Sequence, residues 1–160
     1  MPTTKPAAKT LKRRCPRLRF EQTEYSVVAR ASGGKLAGAL YLNLEGRGMG
    51  EELVVGTVRV AKEYQRCGVA TQLYTRAAAI ARAAKLPLVS DATRSEAAES
   101  FWRKQVQKGR AVCLRKGDGA TKLAWDEERG FHPVRGRWEC ARYALKPEAR
   151  DLSGLKKRTP

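Results

Sequence analysis

Apolar and polar positions along the chain follow two periods, and the switches between them mark the expected elements. From Leu18 onward apolar residues sit in short extended runs: Arg19-Phe20-Glu21-Gln22, then Tyr25-Ser26-Val27-Val28-Ala29-Arg30, then residues 36–44. These read as an antiparallel meander, and Gly33-Gly34 supplies the positive φ of a tight hairpin turn. Gly46, Gly48 and Gly50, interleaved with Arg47 and Met49, make a loop before the run 53–60. There Val58 and Val60 alternate with Thr57 and Arg59, which predicts a strand. Over 68–84 the period lengthens: Val69, Leu73, Ala77, Ile80 and Ala84 recur every three or four positions, and Gln72, Arg76 and Arg82 take the other face. This is the pattern of an amphipathic helix.

Residues 86–90 form a short apolar run, read as a buried strand, and Ser95 is placed to cap a second helix whose Ala98, Phe101, Trp102 and Val106 can face a sheet. Residues 138–145 read as a final strand. Strand, helix, strand is a β-α-β crossover, so 53–60 and 86–90 should run parallel beside the meander. The expected fold class is α/β in the broad sense (α+β): a mixed central sheet with an antiparallel N-terminal meander, one crossover, and helices on the faces.

A length of 160 residues suits one domain. The apolar runs are too short for a membrane helix, and none follows the basic start as a signal peptide requires, so a soluble, unexported protein is expected. Cys15, Cys67, Cys113 and Cys140 include no C-x-x-C pair, and His132 stands alone, so no metal centre is expected. The cysteines read as reduced, half-buried thiols in a reducing cytoplasm.

Charge divides the chain further. The formal net charge is +17, and residues 1–19 carry seven basic side chains and no acid. Residues 146–160 hold Lys146, Arg150, Lys156, Lys157 and Arg158 against Glu148 and Asp151. The expected organisation is a basic disordered tail over 1–17, a folded domain over 18–146 and a basic tail over 147–160. Such tails can touch nucleic acid or another polyanion, or serve solubility alone.

Between the strand 53–60 and the helix from Gly68 lies Lys62-Glu63-Tyr64-Gln65-Arg66-Cys67-Gly68-Val69-Ala70-Thr71. Gly68 and Ala70 remove side-chain bulk where a helix start presents unpaired N–H groups and a positive dipole end, so the turn can cradle a pyrophosphate. The stretch is too short for a Walker-type phosphate loop and lacks the three-glycine dinucleotide fingerprint.

Gln65-x-x-Gly68-x-Ala70 in a strand-loop-helix setting resembles the acyl-CoA pyrophosphate loop of the GNAT superfamily of N-acetyltransferases, which reads Gln or Arg, two residues, Gly, one residue, Gly or Ala. Ser90-Asp91-Ala92-Thr93-Arg94-Ser95 through Phe101-Trp102 and Gly109-Arg110-Ala111 is also similar to small acetyltransferases of phage or mobile-element origin. The resemblance covers roughly residues 18–145. It implies direct transfer from acetyl-CoA, as cosubstrate, to an amine. Backbone groups of Val58 and Val60 would hold the pantetheine arm. The N–H groups from Arg66 through Cys67, Gly68, Val69 and Ala70 to Thr71 would hold the pyrophosphate, framed by Gln65 and Arg66. The amine must arrive neutral, so a base or a water chain to one is required.

The chain departs from the family pattern at the acid. Many members carry a tyrosine after the second core strand to protonate the departing thiolate, and here the nearest positions are Phe101 and Trp102, or Trp125 in a rival alignment of 125–131. Tyr143 and Tyr74 remain. Candidate bases are Asp91, which ends a core strand, then Ser90, Glu63 and His132, each of which also reads as an ordinary turn or loop residue. Three functions stay open: an N-acetyltransferase acting on or near a polyanion, a GNAT-fold nucleic-acid binder with weakened catalysis, and a small-metabolite acetyltransferase. The acceptor and oligomeric state are not read from the sequence.

Overall fold

A computed structural model describes residues 15–46, 50–114, 121–147 and 152. Most of the tails expected over 1–17 and 147–160 lies outside the described residues, as do Arg47, Gly48 and Met49 of the glycine loop. The elements run β1 (Arg19–Gln22), β2 (Ser26–Arg30), β3 (Leu36–Glu45), β4 (Glu52–Val60), α1 (Val69–Ala84), β5 (Leu88–Ser90), β6 (Thr93–Ser95), α2 (Glu96–Gln107), β7 (Ala111–Cys113), β8 (Thr121–Asp126), β9 (Gly130–Arg137) and β10 (Tyr143–Leu145). Seven strands form one sheet in the order β1-β2-β3-β4-β5-β10-β7, and β6-β8-β9 form a second.

The meander is antiparallel and β4 pairs with β5 in parallel, as the crossover requires. Gly33 and Gly34 both take positive φ, 79° and 81°, in the expected turn. Helix α1 buries Val69, Leu73, Tyr74, Ala77, Ala78 and Ala81. It lies close on β3 because Gly38 leaves room: a Cβ there would come within 3.0 Å of Val69 Cγ1 and 2.9 Å of the Arg59 carbonyl. Ser95 caps α2 by accepting from the Ala98 N–H at 3.3 Å. No helix among the described residues is long and apolar enough to cross a membrane.

Three expectations change. The final strand is β10, Tyr143–Leu145, instead of 138–145, and Trp138 instead turns its indole N–H onto the Arg94 carbonyl at 2.9 Å. Strands β6, β8 and β9 carry no alternating apolar pattern, because their sheet is largely half-buried or exposed. The cysteines, expected as thiols, are paired: Cys15 with Cys67 and Cys113 with Cys140. Sequence spacing says nothing of spatial approach. The segment entering β1 runs beside α1, with Arg76 over the Phe20 ring at 4.0 Å. This brings Cys15 within 5.4 Å of Cys67 between Cα atoms. On the other flank, β7 pairs with β10 by setting Cys113 against Tyr143, near Cys140.

Candidate active site

The site is built where two parallel strands part. Pairing of β4 with β5 covers Leu53 with Leu88, Val54 with Val89 and Val55 with Ser90, and then ends, although β4 continues to Val60. Against β3 the register shifts at the same place: Thr57 faces Tyr41 and Val55 faces Leu42, which leaves Gly56 as an extra residue. A bulge bends its strand and adds twist. Gly56 thus turns the second half of β4, with Val58 and Val60, away from β5 and opens a wedge at the carboxyl ends of both strands.

The chain leaving β4 closes that wedge on one side. The Ala61 N–H donates to the Ala37 carbonyl, a single 3-10 turn covers Lys62–Tyr64, and the Cys67 N–H donates to the Tyr64 carbonyl at 3.3 Å. Arg66 and Gly68 both adopt left-handed backbone, φ 66° and 72°. The Gln72 N–H bonds to the Gly68 carbonyl, so the first turn of α1 leaves the N–H groups of Val69, Ala70 and Thr71 without intrahelical partners. No side chain caps this turn, no acid lies in it, and a Cβ at Gly68 would meet nothing within 4 Å. The result is an uncapped, electropositive set of donors facing open space, which fits a pyrophosphate.

On the other arm, Ser90 and Asp91 stand at the carboxyl end of β5, and Tyr143 enters β10 beside them. Ser90 is fully buried; its hydroxyl oxygen accepts from the Tyr143 N–H at 2.8 Å and from Arg94 at 3.2 Å. The Tyr143 hydroxyl donates to Glu99 Oε1 at 2.8 Å. Burial, then this carboxylate, raises the pKa of that phenol above its ordinary value. Asp91 is half-buried, and its carbonyl accepts from Arg94 at 2.7 Å. Glu63 also follows β4 to this edge, exposed and paired with Lys35 Nζ at 2.7 Å. That hydrogen bond raises the Lys35 pKa. His132 lies apart, in the β8-β9 hairpin, with Nδ1 3.1 Å from the Gly130 carbonyl and 3.4 Å from Asp126.

Two residues that organise this arm are absent from the sequence-derived set. Arg94, only 2% exposed, donates to Glu99 Oε2 at 2.7 Å, to Ser90, and to the carbonyls of Asp91, Ala141 and Cys140. Glu99 stands on the buried face of α2 with Trp102 and Gln105. An acid at a core-facing helical position was the signal that could have found it. Phe101 and Trp102, expected nearest the place of an acid, pack: Phe101 stacks on Tyr74 at 3.8 Å, and Trp102 is parallel to Tyr143 at 5.9 Å. Burial raises the Tyr74 pKa strongly.

Among the described residues no group of three or more His, Cys, Asp or Glu could hold a metal ion. A pocket of about 340 Å³ lies at the far end of α1, lined in part by Ala81, Lys85, Leu86, Pro87 and Lys146, away from the wedge.

Residues 3–106 match the family model of the Acetyltransferase (GNAT) family. No curated protein matches the chain. Among solved structures, the chain is similar to a mosquito arylalkylamine N-acetyltransferase-like 5b (15% identity, 76% of this chain and 74% of that one, TM-score 0.50). It is also similar to a nourseothricin acetyltransferase (20%, 75% and 61%, TM-score 0.43) and to Arabidopsis thaliana NAA60 in complex with acetyl-CoA (10%, 76% and 74%, TM-score 0.46). The chain therefore spans about three fifths of the nourseothricin enzyme's length.

Proposed function

The chain belongs to the GNAT family of acetyltransferases, which use acetyl-CoA as cosubstrate, and from that premise we propose that it is an N-acetyltransferase that moves the acetyl group directly to an amine. The observation that supports this most is the parting of β4 from β5 after Val55–Ser90, with the uncapped first turn of α1 at the end of the freed strand. In this reading Val58 and Val60 offer backbone groups to the pantetheine arm. Gln65 and Arg66 frame the pyrophosphate, and the N–H groups from Arg66 and Cys67 through Gly68, Val69 and Ala70 to Thr71 hold it. Acetyl-CoA, when bound, supplies the activated acyl carbon and a thiolate leaving group.

The chemistry is shared between the two arms. A backbone N–H on the splayed strand would polarise the thioester carbonyl, since fixed donors stabilise the developing oxyanion. Asp91 takes the amine's proton, directly or through water: it is the half-buried carboxylate at the end of β5. Glu63 is the second candidate base, held by Lys35. Ser90, sealed and doubly hydrogen-bonded, orients the strand end, and Tyr143 directs its hydroxyl proton at Glu99. A thiolate of coenzyme A leaves readily, so transfer does not need the family's tyrosine.

The charge selects the acceptor class. A surface of +17 repels polyamines and lysine-rich tails and suits an amine carried on or near a polyanion such as nucleic acid. The test is acetyl-CoA binding by calorimetry, followed by mass-spectrometric detection of acetylated product over a panel of aminoacyl-tRNA, protein and small amines. Binding with acceptor-dependent product formation is expected, and absence of binding overturns the reading. A second reading, a nucleic-acid binder with weakened catalysis, is favoured by the commitment of Tyr143 to Glu99 and the burial of Tyr74. It predicts coenzyme binding without product on any amine.

A further inference from the structure

Nothing in the transfer reaction uses the disulfides, and the two bonds sit in different surroundings. Cys140 is 5% exposed and its partner Cys113 packs against the core between β7 and β10. Cys15 is exposed, and its partner Cys67 is half-buried in the turn that carries the pyrophosphate donors. Cys67 stands between Arg66 and Gly68, both in left-handed backbone. Left-handed backbone is unfavourable for a residue with a Cβ, and Arg66 holds it only while the surroundings impose it. From within, the turn is anchored by the Tyr64 N–H at 2.9 Å and, nearer Gly68, by the longer bonds of the Gln65 and Cys67 N–H groups, at 3.4 and 3.3 Å. The bond to Cys15, 52 residues away in sequence, is its covalent anchor to the segment entering β1.

We propose that Cys15–Cys67 is a reversible redox site that sets coenzyme affinity: the disulfide holds the turn in its pyrophosphate-binding form, and reduction releases it. This rests on the acetyl-CoA reading of the turn. The chemistry balances with a dithiol reductant. A reductant thiolate attacks the exposed Cys15 sulfur, the S–S bond breaks, and Cys67 leaves with the electron pair as thiolate. The reductant's second thiol then displaces Cys15, so that two electrons and two protons pass from the dithiol to the protein pair and the reductant ends as its own disulfide. Cys67 is a good leaving group here, beside Arg66 and just ahead of the start of α1, because cationic surroundings and helix N-termini favour thiolate. In Cys113–Cys140 neither cysteine is exposed as Cys15 is, so a graded reductant opens the Cys15–Cys67 bond first.

The experiment measures acetyl-CoA affinity by calorimetry on the full chain, oxidised and after graded dithiothreitol, with alkylation and peptide mass spectrometry reporting which cysteines are free; Cys15→Ser is run beside it. The expected result is alkylation of Cys15 and Cys67 before Cys113 and Cys140. Affinity falls in step by about tenfold if the released turn holds its binding form about a tenth of the time. Cys15→Ser should match the reduced protein and ignore mild reductant. Equal affinity in both redox states, or free Cys15 and Cys67 in protein never exposed to reductant, overturns the redox site alone. No coenzyme binding in either state overturns the acetyl-CoA reading and the redox site with it.

Discussion

Arg94 Nε meets Glu99 Oε2 at 2.7 Å with both side chains 2% exposed, and the same guanidinium reaches the ends of β5 and the entry to β10. Removing one member of such a pair leaves an uncompensated buried charge, at a cost of about 3–5 kcal/mol. Glu99→Ala should therefore lower the melting temperature by on the order of 10 °C in a domain of this size. The double variant Arg94→Met/Glu99→Leu should lose less than the two single losses together, because it leaves no lone charge. Additive losses in calorimetric melting would show that the pair is not coupled.

Alkaline pH should act through the buried phenols. Tyr143 and Tyr74 both have folded pKa values raised above the ordinary value of 10.0, by burial first. In the unfolded chain they ionise near that value, so above it the unfolded state binds fewer protons and stability falls with rising pH. Their contribution is fully present below about pH 10 and is lost as pH climbs toward the folded values. Tyr143→Phe should flatten the loss of melting temperature on the alkaline side. Tyrosinate absorbance should show two phenols ionising only as the protein unfolds.

Gly68 separates strain from ligand clash. Its φ of 72° suits Gly and Asn but not Val, while a side chain there would point into open space. Gly68→Asn should keep the melting temperature of the free protein within about 1–2 °C and still weaken acetyl-CoA binding, because Asn tolerates this backbone but adds bulk where the pyrophosphate must approach. Gly68→Val should lose stability as well as binding. Unchanged affinity in Gly68→Asn would move the pyrophosphate elsewhere.

The basic N-terminus predicts salt dependence. Residues 1–14 carry Lys5, Lys9, Lys12, Arg13 and Arg14. Each phosphate contact contributes a slope of about −0.9 to log affinity against log salt on duplex DNA. Deleting 1–14, which spares Cys15, should weaken nucleic-acid binding for all sequences alike and flatten that slope, with acetyl-CoA affinity unchanged. A full slope after deletion assigns the contact to the folded domain.

The order of the meander, the parallel crossover and the turn that opens α1 were legible in the sequence, because each rests on a local rule. Apolar periods of two and about 3.6 separate β2, β3 and β4 from α1, and Gln65, Gly68 and Ala70 sit at fixed offsets from a helix start. The site's other arm was legible only in part. Asp91, Ser90 and Tyr143 stood out as candidates by type and place in the chain, but only the packing of α2 against β10 brings Arg94, Glu99 and Tyr143 around the end of β5. Gly56 looked like one more strand residue until its register against Tyr41 and Leu42 showed where β4 turns from β5. The cysteine pairs were hidden for the same reason: chain order sets local dihedral preferences, whereas partners 27 and 52 residues apart are chosen by which surfaces bury together.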